Sequence, residues 1–376
     1  MEELYDPKRR RLAKEYNRIK DRYNKYEIVL RVLFWGIFFG LSLEVRLYHF
    51  IADMIGNFDL KLIGFLLGIT FLYSIYNWIF DYLLSYRLNR TYELSNQTPK
   101  EWLIDKVKVF ILTNFFLYIA GRVFLTITIW YPDRWWLPFS IGGIFFILVI
   151  NFVFPVVLLP LFFELTPYPE SSLRERLMEL FARAGVEVAD IYEFNLSSKM
   201  NSANAAVIGM GKTRKIILGD NLQDRYTNDE IEAVLAHEVG HHANGDMFEL
   251  LAVEALSLLI TVFLVSKFWQ PLTGLFGYME AYSIISLPLF FLMLGILNWL
   301  ISPLELIFSR QTERKADNFA LELIDNPHDL ATAFAKLADD SLAKLEYNWY
   351  ELLFKASHPP INERVEKALY WSDRGN

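Results

Sequence analysis

One short segment of the sequence combines two histidines and a glutamate at a spacing suited to metal chemistry. His237-Glu238-Val239-Gly240-His241 reads H-E-x-x-H. Residues four apart share one face of a helix, so His237 and His241 would direct two imidazoles at a single ion. Glu238 lies about 100° around the helix from His237, close enough to take a proton from a water molecule on that ion. The spacing predicts a metal site with a general base beside it.

The residues around this segment predict the helix that must position it. Thr227 and Glu230 form a capping-box pattern at its start, and Asn244-Gly245 is a stop signal. Upstream, an α+β pattern is expected from an amphipathic helix, a strand and a β-hairpin. These elements are predicted at Ser171–Gly185, at Val186–Phe194, and at Ala205–Gly209 with Lys215–Leu218.

A catalytic zinc ion usually has three protein ligands and one open position, so a third ligand is needed. Cys is absent, and His242 would point about 100° away from its neighbour His241. The remaining candidates are downstream carboxylates, His328 and His358. Glu313 and Asp317 are four residues apart, so one could bind the metal while the other orients a ligand imidazole. An ordinary surface helix with salt bridges would show the same spacing.

The composition indicates a membrane protein with soluble parts. The chain has 376 residues, a net charge of −7, 53% hydrophobic residues and a mean hydropathy of +0.22, while 22% of residues are charged. The charges must therefore be segregated from the apolar runs. The absence of Cys excludes disulfides, thiolate zinc sites and Cys nucleophiles. The acidic balance gives no support for nucleic-acid binding, and the long apolar runs make the lipid bilayer an expected partner.

Apolar runs long enough to cross a bilayer predict six transmembrane helices. They are residues 28–45, 62–80, 109–130, 137–163, 250–266 and 281–304. The sequence thus begins with a basic N-terminal segment (1–27) and four spans with a loop at 85–108 (28–164). A catalytic segment (165–248), two further spans (249–308) and C-terminal helices (309–376) follow. We expect Arg122 and Glu254, which lie within spans, to face a polar interior.

The basic residues predict the orientation. Residues 1–26 carry nine Lys and Arg and the loop 85–108 carries five, whereas the short loop after the third span contains only Arg134 and the loop 267–280 only Lys267. By the positive-inside rule, both termini and the catalytic segment face the cytoplasm. The location would be the inner or plasma membrane of a prokaryote or the endoplasmic reticulum of a eukaryote.

Several motifs together resemble the type I CAAX prenyl endopeptidases, a family of integral-membrane zinc metalloproteases of the gluzincin kind, and more distantly the heat-shock protease HtpX. The likeness runs from about residue 62 to 370. The H-E-x-x-H segment is similar to that of the family, and Ser309-Arg310 through Asp317 is similar to its S-R-x-x-E-x-x-A-D. Further matches are Ser357-His358-Pro359-Pro360 with Arg364, Thr166-Pro167 to Glu170, Ser202 to Ala205, and Leu94 to Leu103.

The resemblance implies a zinc ion held by His237, His241 and Glu313, with Glu238 as general base. It also implies that the Asp317 carboxylate orients one of the ligand imidazoles. It also implies that Asn204-Ala205 lies on an edge strand that binds the substrate backbone, and that His358 and Arg364 stabilise the oxyanion. The implied fold is mainly α, a polytopic membrane protein with about six helices around a chamber and a small cytoplasmic α+β catalytic domain. Eukaryotic members have an additional first span, where this chain has the basic residues 1–27.

These observations predict a membrane-embedded zinc metalloendopeptidase, whose peptide or protein substrate could be prenylated or membrane-associated. One alternative is a quality-control protease of the HtpX type. An alternative of another class is a transporter or scaffold with a structural zinc site. A structural zinc site does not need a general-base carboxylate beside its first ligand, and protein ligands usually fill all four of its coordination positions.

Overall fold

The computed structural model describes residues 1–209 and 211–375 and combines long apolar helices with a smaller part built around a four-stranded sheet. The first part of the chain forms α1 (Pro7–Gly40), α2 (Leu43–Met54), α3 (Phe58–Asp81), α4 (Asn89–Thr91), α5 (Pro99–Trp130) and α6 (Trp136–Val153). The second part forms α7 (Ser172–Arg183), α8 (Asn228–Asn244), α9 (Asp246–Leu275), α10 (Leu287–Leu323), α11 (Pro327–Asp340), α12 (Trp349–Phe354) and α13 (Ile361–Gly375).

Within the described residues, five helices are long and apolar enough to cross a membrane, and six if a bent pair counts as one span. The predicted spans 62–80, 109–130 and 250–266 lie within α3, α5 and α9. The bent pair is α1 with α2, whose axes differ by 59°. The predicted span 28–45 is therefore not one continuous helix. Ser42 has a φ of 49°, in the left-handed region that a helix cannot continue through.

The predicted span 137–163 is likewise not a regular helix throughout. Helix α6 ends at Val153 and is followed by a π-helical turn at Phe154–Leu158 and a 3₁₀ turn at Leu159–Leu161. Pro155 and Pro160 lie in these two turns. Proline has no backbone N–H to donate and its ring crowds the preceding turn, so the regular α-helical hydrogen bonds are interrupted here.

The sheet has the strand order β1-β2-β4-β3. Its strands are β1 (Leu165–Pro167), β2 (Asp190–Phe194), β3 (Ala205–Ile208) and β4 (Lys215–Gly219). Strands β3 and β4 are antiparallel, with Ala205 opposite Leu218, as the predicted hairpin requires. Strand β2 is parallel to β4 and begins at Asp190, later than predicted. The residues before it form the connection from α7, where the N–H of Val186 donates to the carbonyl of Phe181.

The helices of the smaller part share one apolar core with the sheet. Helix α7 buries Leu173, Leu177, Leu180 and Phe181, the stripe expected from its helical spacing. Helix α8 packs against α7, α10 and α11, and α11 packs against α13. This arrangement encloses α8 on several sides and fixes the helix that carries the H-E-x-x-H segment.

The basic N-terminal residues are helical and pack on the C-terminal part of the chain. Arg10 lies against the Asp339 carboxylate and donates to the carbonyls of Ala338 and Ala343, at the end of α11. Asn17 donates to the carbonyl of Leu342 at 2.8 Å. The cationic Arg10 side chain thus stabilises the carbonyl end of α11, where the helix dipole is negative.

The two ionisable residues predicted within spans have polar surroundings. Arg122 donates from Nε to Asp59 Oδ1 at 2.9 Å, so its charge is paired. Glu254 lines a cavity of about 340 Å³ together with Asn298 and Glu305. This cavity lies between α6, α9 and α10 and extends to Ser309. Glu254 thus faces a cavity that contains other polar side chains, which supports the expectation for this residue.

Candidate active site

Helix α8 is fixed at both ends by local capping. The Thr227 side chain accepts from the N–H of Glu230, and the Glu230 carboxylate accepts from the N–H of Thr227, as predicted. Gly245 closes the helix with a φ of 73°, a conformation that glycine adopts without strain. His237 lies in the third turn and is 5% exposed.

Helix α10 approaches α8 very closely at Gly240. A Cβ atom on this glycine would lie 3.0 Å from both the Cα and the carbonyl oxygen of Ala316. Ala316 is flanked along α10 by Glu313 and Asp317. The absence of a side chain at Gly240 therefore lets the two carboxylates reach the histidines of α8.

Three donor atoms converge in the manner that a metal ion needs. His237 Nε2 lies 3.4 Å from Glu313 Oε2, and His241 Nε2 lies 3.4 Å from Glu313 Oε1. The donor atoms of the three residues all lie within 4.8 Å of one another. A tetrahedral zinc ion about 2.05 Å from its ligands separates them by about 3.3 Å, so the spacing fits. Glu313 Oε2 is buried without a hydrogen-bond partner, which agrees with a ligand atom.

Each histidine is oriented by a carboxylate on its other ring nitrogen. His237 Nδ1 lies 2.9 Å from Asp317 Oδ1. His241 Nδ1 lies 2.8 Å from Asp246 Oδ2. These contacts leave both Nε2 atoms directed at Glu313 and raise the basicity of the imidazoles. Sequence reasoning missed Asp246, although a carboxylate directly after the Gly245 stop signal was available as a signal.

Glu238 lies beside the donors but is not one of the converging group. Its side chain is partly buried, and burial raises the pKa of the Glu238 carboxyl, while His237 and His241 act in the opposite direction. A raised pKa brings a carboxylate nearer to the range in which it can both accept and return a proton.

Helix α10 also holds the loop that carries His358. Ser309 Oγ donates to the carbonyl of Ser357 at 2.9 Å, and Arg310 donates to the carbonyl of Ala356 at 2.6 Å. His358 Nε2 lies 3.3 Å from Glu313 Oε1, and its side chain is 53% exposed. His358 is therefore at the accessible side of the three converging donors, where a substrate carbonyl could reach it.

Arg364 is buried behind the histidines. Its Nε and Nη2 donate to the two oxygens of Asp317 at 3.0 and 2.6 Å, and its guanidinium stacks on the Phe334 ring at 3.9 Å. Nη2 lies 3.6 Å from Glu313 Oε2. These contacts identify Arg364 as a residue that positions Asp317, and its expected role at the oxyanion stays a prediction.

The predicted substrate strand lies at the edge of the sheet. Strand β3 begins at Ala205 and packs against α8, and Asn204 immediately precedes it. The Asn204 carbonyl accepts from the N–H of Gly219 at 2.8 Å, so Asn204 extends the hairpin. The loop before it is held by Asn96, which donates to the carbonyl of Ser197 at 2.8 Å.

His242 and His328, the other histidines considered as ligands, are not in the converging group of the described residues. Burial, together with the charge of Arg214, lowers the pKa of His242 to about 4. The site therefore has two histidines and one glutamate as donors, with a second glutamate beside them.

Long apolar helices joined to a domain with this donor set define the class of a membrane-embedded metallopeptidase. The comparisons give the family. Peptidase family M48 matches residues 167–372, and the CAAX prenyl protease N-terminal domain, described as five membrane helices, matches residues 1–164. The chain belongs to peptidase family M48.

The similar proteins are bacterial and eukaryotic. An uncharacterised metalloprotease of Bacillus subtilis, YhfN, is 26% identical over 95% of this chain and 84% of its own length. A probable CAAX prenyl protease 1 of Schizosaccharomyces pombe is 26% identical over 83% of this chain and 66% of its own. The crystal structure of S. mikatae Ste24p covers 97% of this chain and 90% of that one with a TM-score of 0.83 at 20% identity.

These findings confirm the predicted family and fold class, a mainly helical multi-pass membrane protein with a small α+β part. The protein is a metallopeptidase of the membrane, and the family implies a bound metal and a peptide or protein substrate. They do not favour the transporter, scaffold or HtpX-type alternatives.

Proposed function

We propose that the protein is a zinc-dependent endopeptidase in which His237, His241 and Glu313 hold the metal. The observation that carries this proposal is the convergence of the three donors, with both Nε2 atoms 3.4 Å from Glu313 oxygens. Two histidines and one glutamate are the ligand set of gluzincin-type catalytic zinc sites, which keep one position open.

A bound zinc ion would lower the pKa of a water molecule and polarise the scissile carbonyl. Glu238 accepts the proton from the attacking water and returns it to the leaving amine. Asp317 and Asp246 hold the imidazoles by their Nδ1 atoms, and Arg364 in turn holds Asp317. His358, exposed beside Glu313, donates to the oxygen on which negative charge develops.

The substrate backbone pairs with the free edge of β3, next to Asn204 and Ala205. An edge strand offers unpaired N–H and C=O groups, and strand addition is a common way to bind an extended peptide. The contact between β3 and α8 supports this role, because α8 carries His237, Glu238 and His241.

A membrane-associated substrate with a prenylated C-terminus is the class that we favour. Eukaryotic relatives are named as CAAX prenyl proteases, and a cavity between membrane helices reaches Ser309, close to Glu313. The catalytic part and both termini would face the cytoplasm, since the basic residues are concentrated there.

The direct test uses Glu238→Gln. This variant should keep one zinc ion per chain and lose at least about 10³-fold in peptide cleavage, because the proton acceptor is gone while the ligands remain. Glu179→Gln removes the same charge from an exposed position of α7 and should remain fully active. Full activity of Glu238→Gln would remove Glu238 from the mechanism.

The identity of the metal and the class of substrate are tested on the wild-type protein. Metal analysis should find zinc, and a chelator should abolish cleavage that added zinc restores. Cleavage sites mapped on a peptide library, with each peptide offered with and without a prenyl group, define the substrate class. Equal rates for both forms would show that prenylation is not recognised.

A further inference from the structure

The N-terminal helix forms one wall of a cavity that opens at the candidate active site. This cavity has a volume of about 440 Å³ and lies between α1 and the residues that follow α11. His358 and Arg364 are among its lining residues, as is Lys20 of α1. The volume is in the range of pockets that hold a small ligand or a few residues of a peptide.

The charges in this cavity leave cationic groups available to a ligand. Lys344 is neutralised, since its Nζ lies 2.7 Å from Asp21 and also contacts Glu351. Among the described residues, Lys20 and Lys355 make no ion pair with a carboxylate. Both are exposed to the cavity, with their ammonium groups 5.4 Å from the ring centroids of Tyr16 and Tyr350 respectively.

A substrate is the occupant best placed to use these groups. His358 lies 3.3 Å from Glu313 and also lines this cavity, so a peptide chain bound at the candidate metal ligands and continuing past His358 would enter it. Two ammonium groups within a partly enclosed space favour an anion, and a carboxylate pairs with ammonium by charge-assisted hydrogen bonds.

We propose that this cavity is a subsite for a carboxylate of the substrate, contacted by Lys20 and Lys355. The inference rests on the proposed peptidase function and names what the site recognises. The carboxylate has two possible sources, the C-terminal α-carboxylate of the peptide or an acidic side chain after the cleaved bond. In either case, the N-terminal helix supplies a binding residue to a site otherwise built from the C-terminal half.

The test compares peptides that are identical except for a free carboxylate or an amide at the C-terminus, in a series with increasing numbers of residues after the cleaved bond. Wild-type protein should cleave one free-acid peptide at least about tenfold better than its amide, through a lower KM, since a charge-assisted hydrogen bond is lost in the amide. The Lys20→Gln/Lys355→Gln double variant should lose this preference and cleave the acid and amide forms with similar KM values. Lys25→Gln, on the same helix and outside the cavity, should retain the preference.

The outcomes distinguish the two sources of the carboxylate, and they distinguish failure of the subsite proposal from failure of the proposed peptidase function. If the acid and amide forms are cleaved equally but a Glu after the cleaved bond gives a lysine-dependent gain, the carboxylate is a side chain. Cleavage without any lysine-dependent preference for either carboxylate overturns the subsite, while the peptidase function stands. A loss in the double variant that is equal for all peptides and depends on anionic lipid would assign the lysines to the membrane and also overturn it. Absence of metal-dependent cleavage in the wild type would instead refute the proposed function.

Discussion

A methyl group at Gly240 should separate the two helices that carry the metal donors. In Gly240→Ala, the new Cβ would lie 3.0 Å from the Cα and carbonyl oxygen of Ala316 and 3.2 Å from the Cβ of Phe319. Carbon atoms pack at about 3.5–4.0 Å, and two of these contacts are to backbone, so α8 and α10 must move apart by about 0.5–1 Å. Metal–ligand distances tolerate only about 0.2 Å, so Glu313 would leave its position relative to His237 and His241.

The expected result is a fall in zinc affinity of at least about tenfold, because the contribution of Glu313 is weakened and the ion is held mainly by the two histidines. Overpacking costs about 1–3 kcal/mol, partly offset by about 1 kcal/mol from the helix propensity of Ala over Gly. The free energy of unfolding without metal should therefore change by about 2 kcal/mol or less. Competition with a chromophoric chelator measures the affinity, and thermal unfolding in detergent measures the stability.

The matched control is Gly295→Ala, on α10, where the new Cβ has no atom within 4 Å. It should leave zinc affinity unchanged and leave stability equal or higher. A zinc affinity of Gly240→Ala within about twofold of wild type would refute the reasoning that the close approach of α8 and α10 sets the distance between the donors.

Three further predictions follow from the contacts around the site and at the N-terminus. Asp246→Asn should lower zinc affinity by about 10–100-fold, because the carboxylate no longer orients His241, and an unchanged affinity in chelator competition would contradict this. Burial lowers the pKa of His241, but hydrogen bonds to Glu313 and Asp246 raise it more, to about 9 in the metal-free protein. Because zinc needs the neutral imidazole, its affinity should rise by at least about tenfold per pH unit from about pH 7 to about pH 9, and a flat titration would contradict the shift. Arg10→Ala should destabilise the protein by about 2–4 kcal/mol, because it leaves the mostly buried Asp339 carboxylate without this cation. Arg11 is an exposed neighbour on the same helix, so Arg11→Ala should change stability by about 0.5 kcal/mol or less. Equal unfolding temperatures of the two variants would be evidence against the role of Arg10.

The local parts of the site could be predicted from the sequence because short-range rules determine them. The capping box at Thr227, the stop at Gly245 and the i, i+4 spacing of His237 and His241 each follow from a few adjacent residues. The hairpin of β3 and β4 has the same origin. The third donor was different, because spacing alone left several carboxylates and histidines open, and only the family resemblance singled out Glu313.

The remainder depends on contacts between segments far apart in the chain. The pairing of Asp246 with His241 requires the turn between α8 and α9, and the packing of Arg10 at the end of α11 joins residues more than 300 apart. The hydropathy pattern located the apolar runs but could not predict the bend between α1 and α2. There, Ser42 has a left-handed conformation that no apolar run reveals.

The central claim is that donors from α8 and α10 bind one ion, and metal stoichiometry across four variants tests it most directly. His237→Ala, His241→Ala and Glu313→Ala should each purify with little or no zinc, while Glu238→Gln should contain one zinc ion per chain, as the wild type should. Full zinc occupancy in Glu313→Ala, or loss of zinc in Glu238→Gln alone, would contradict the account.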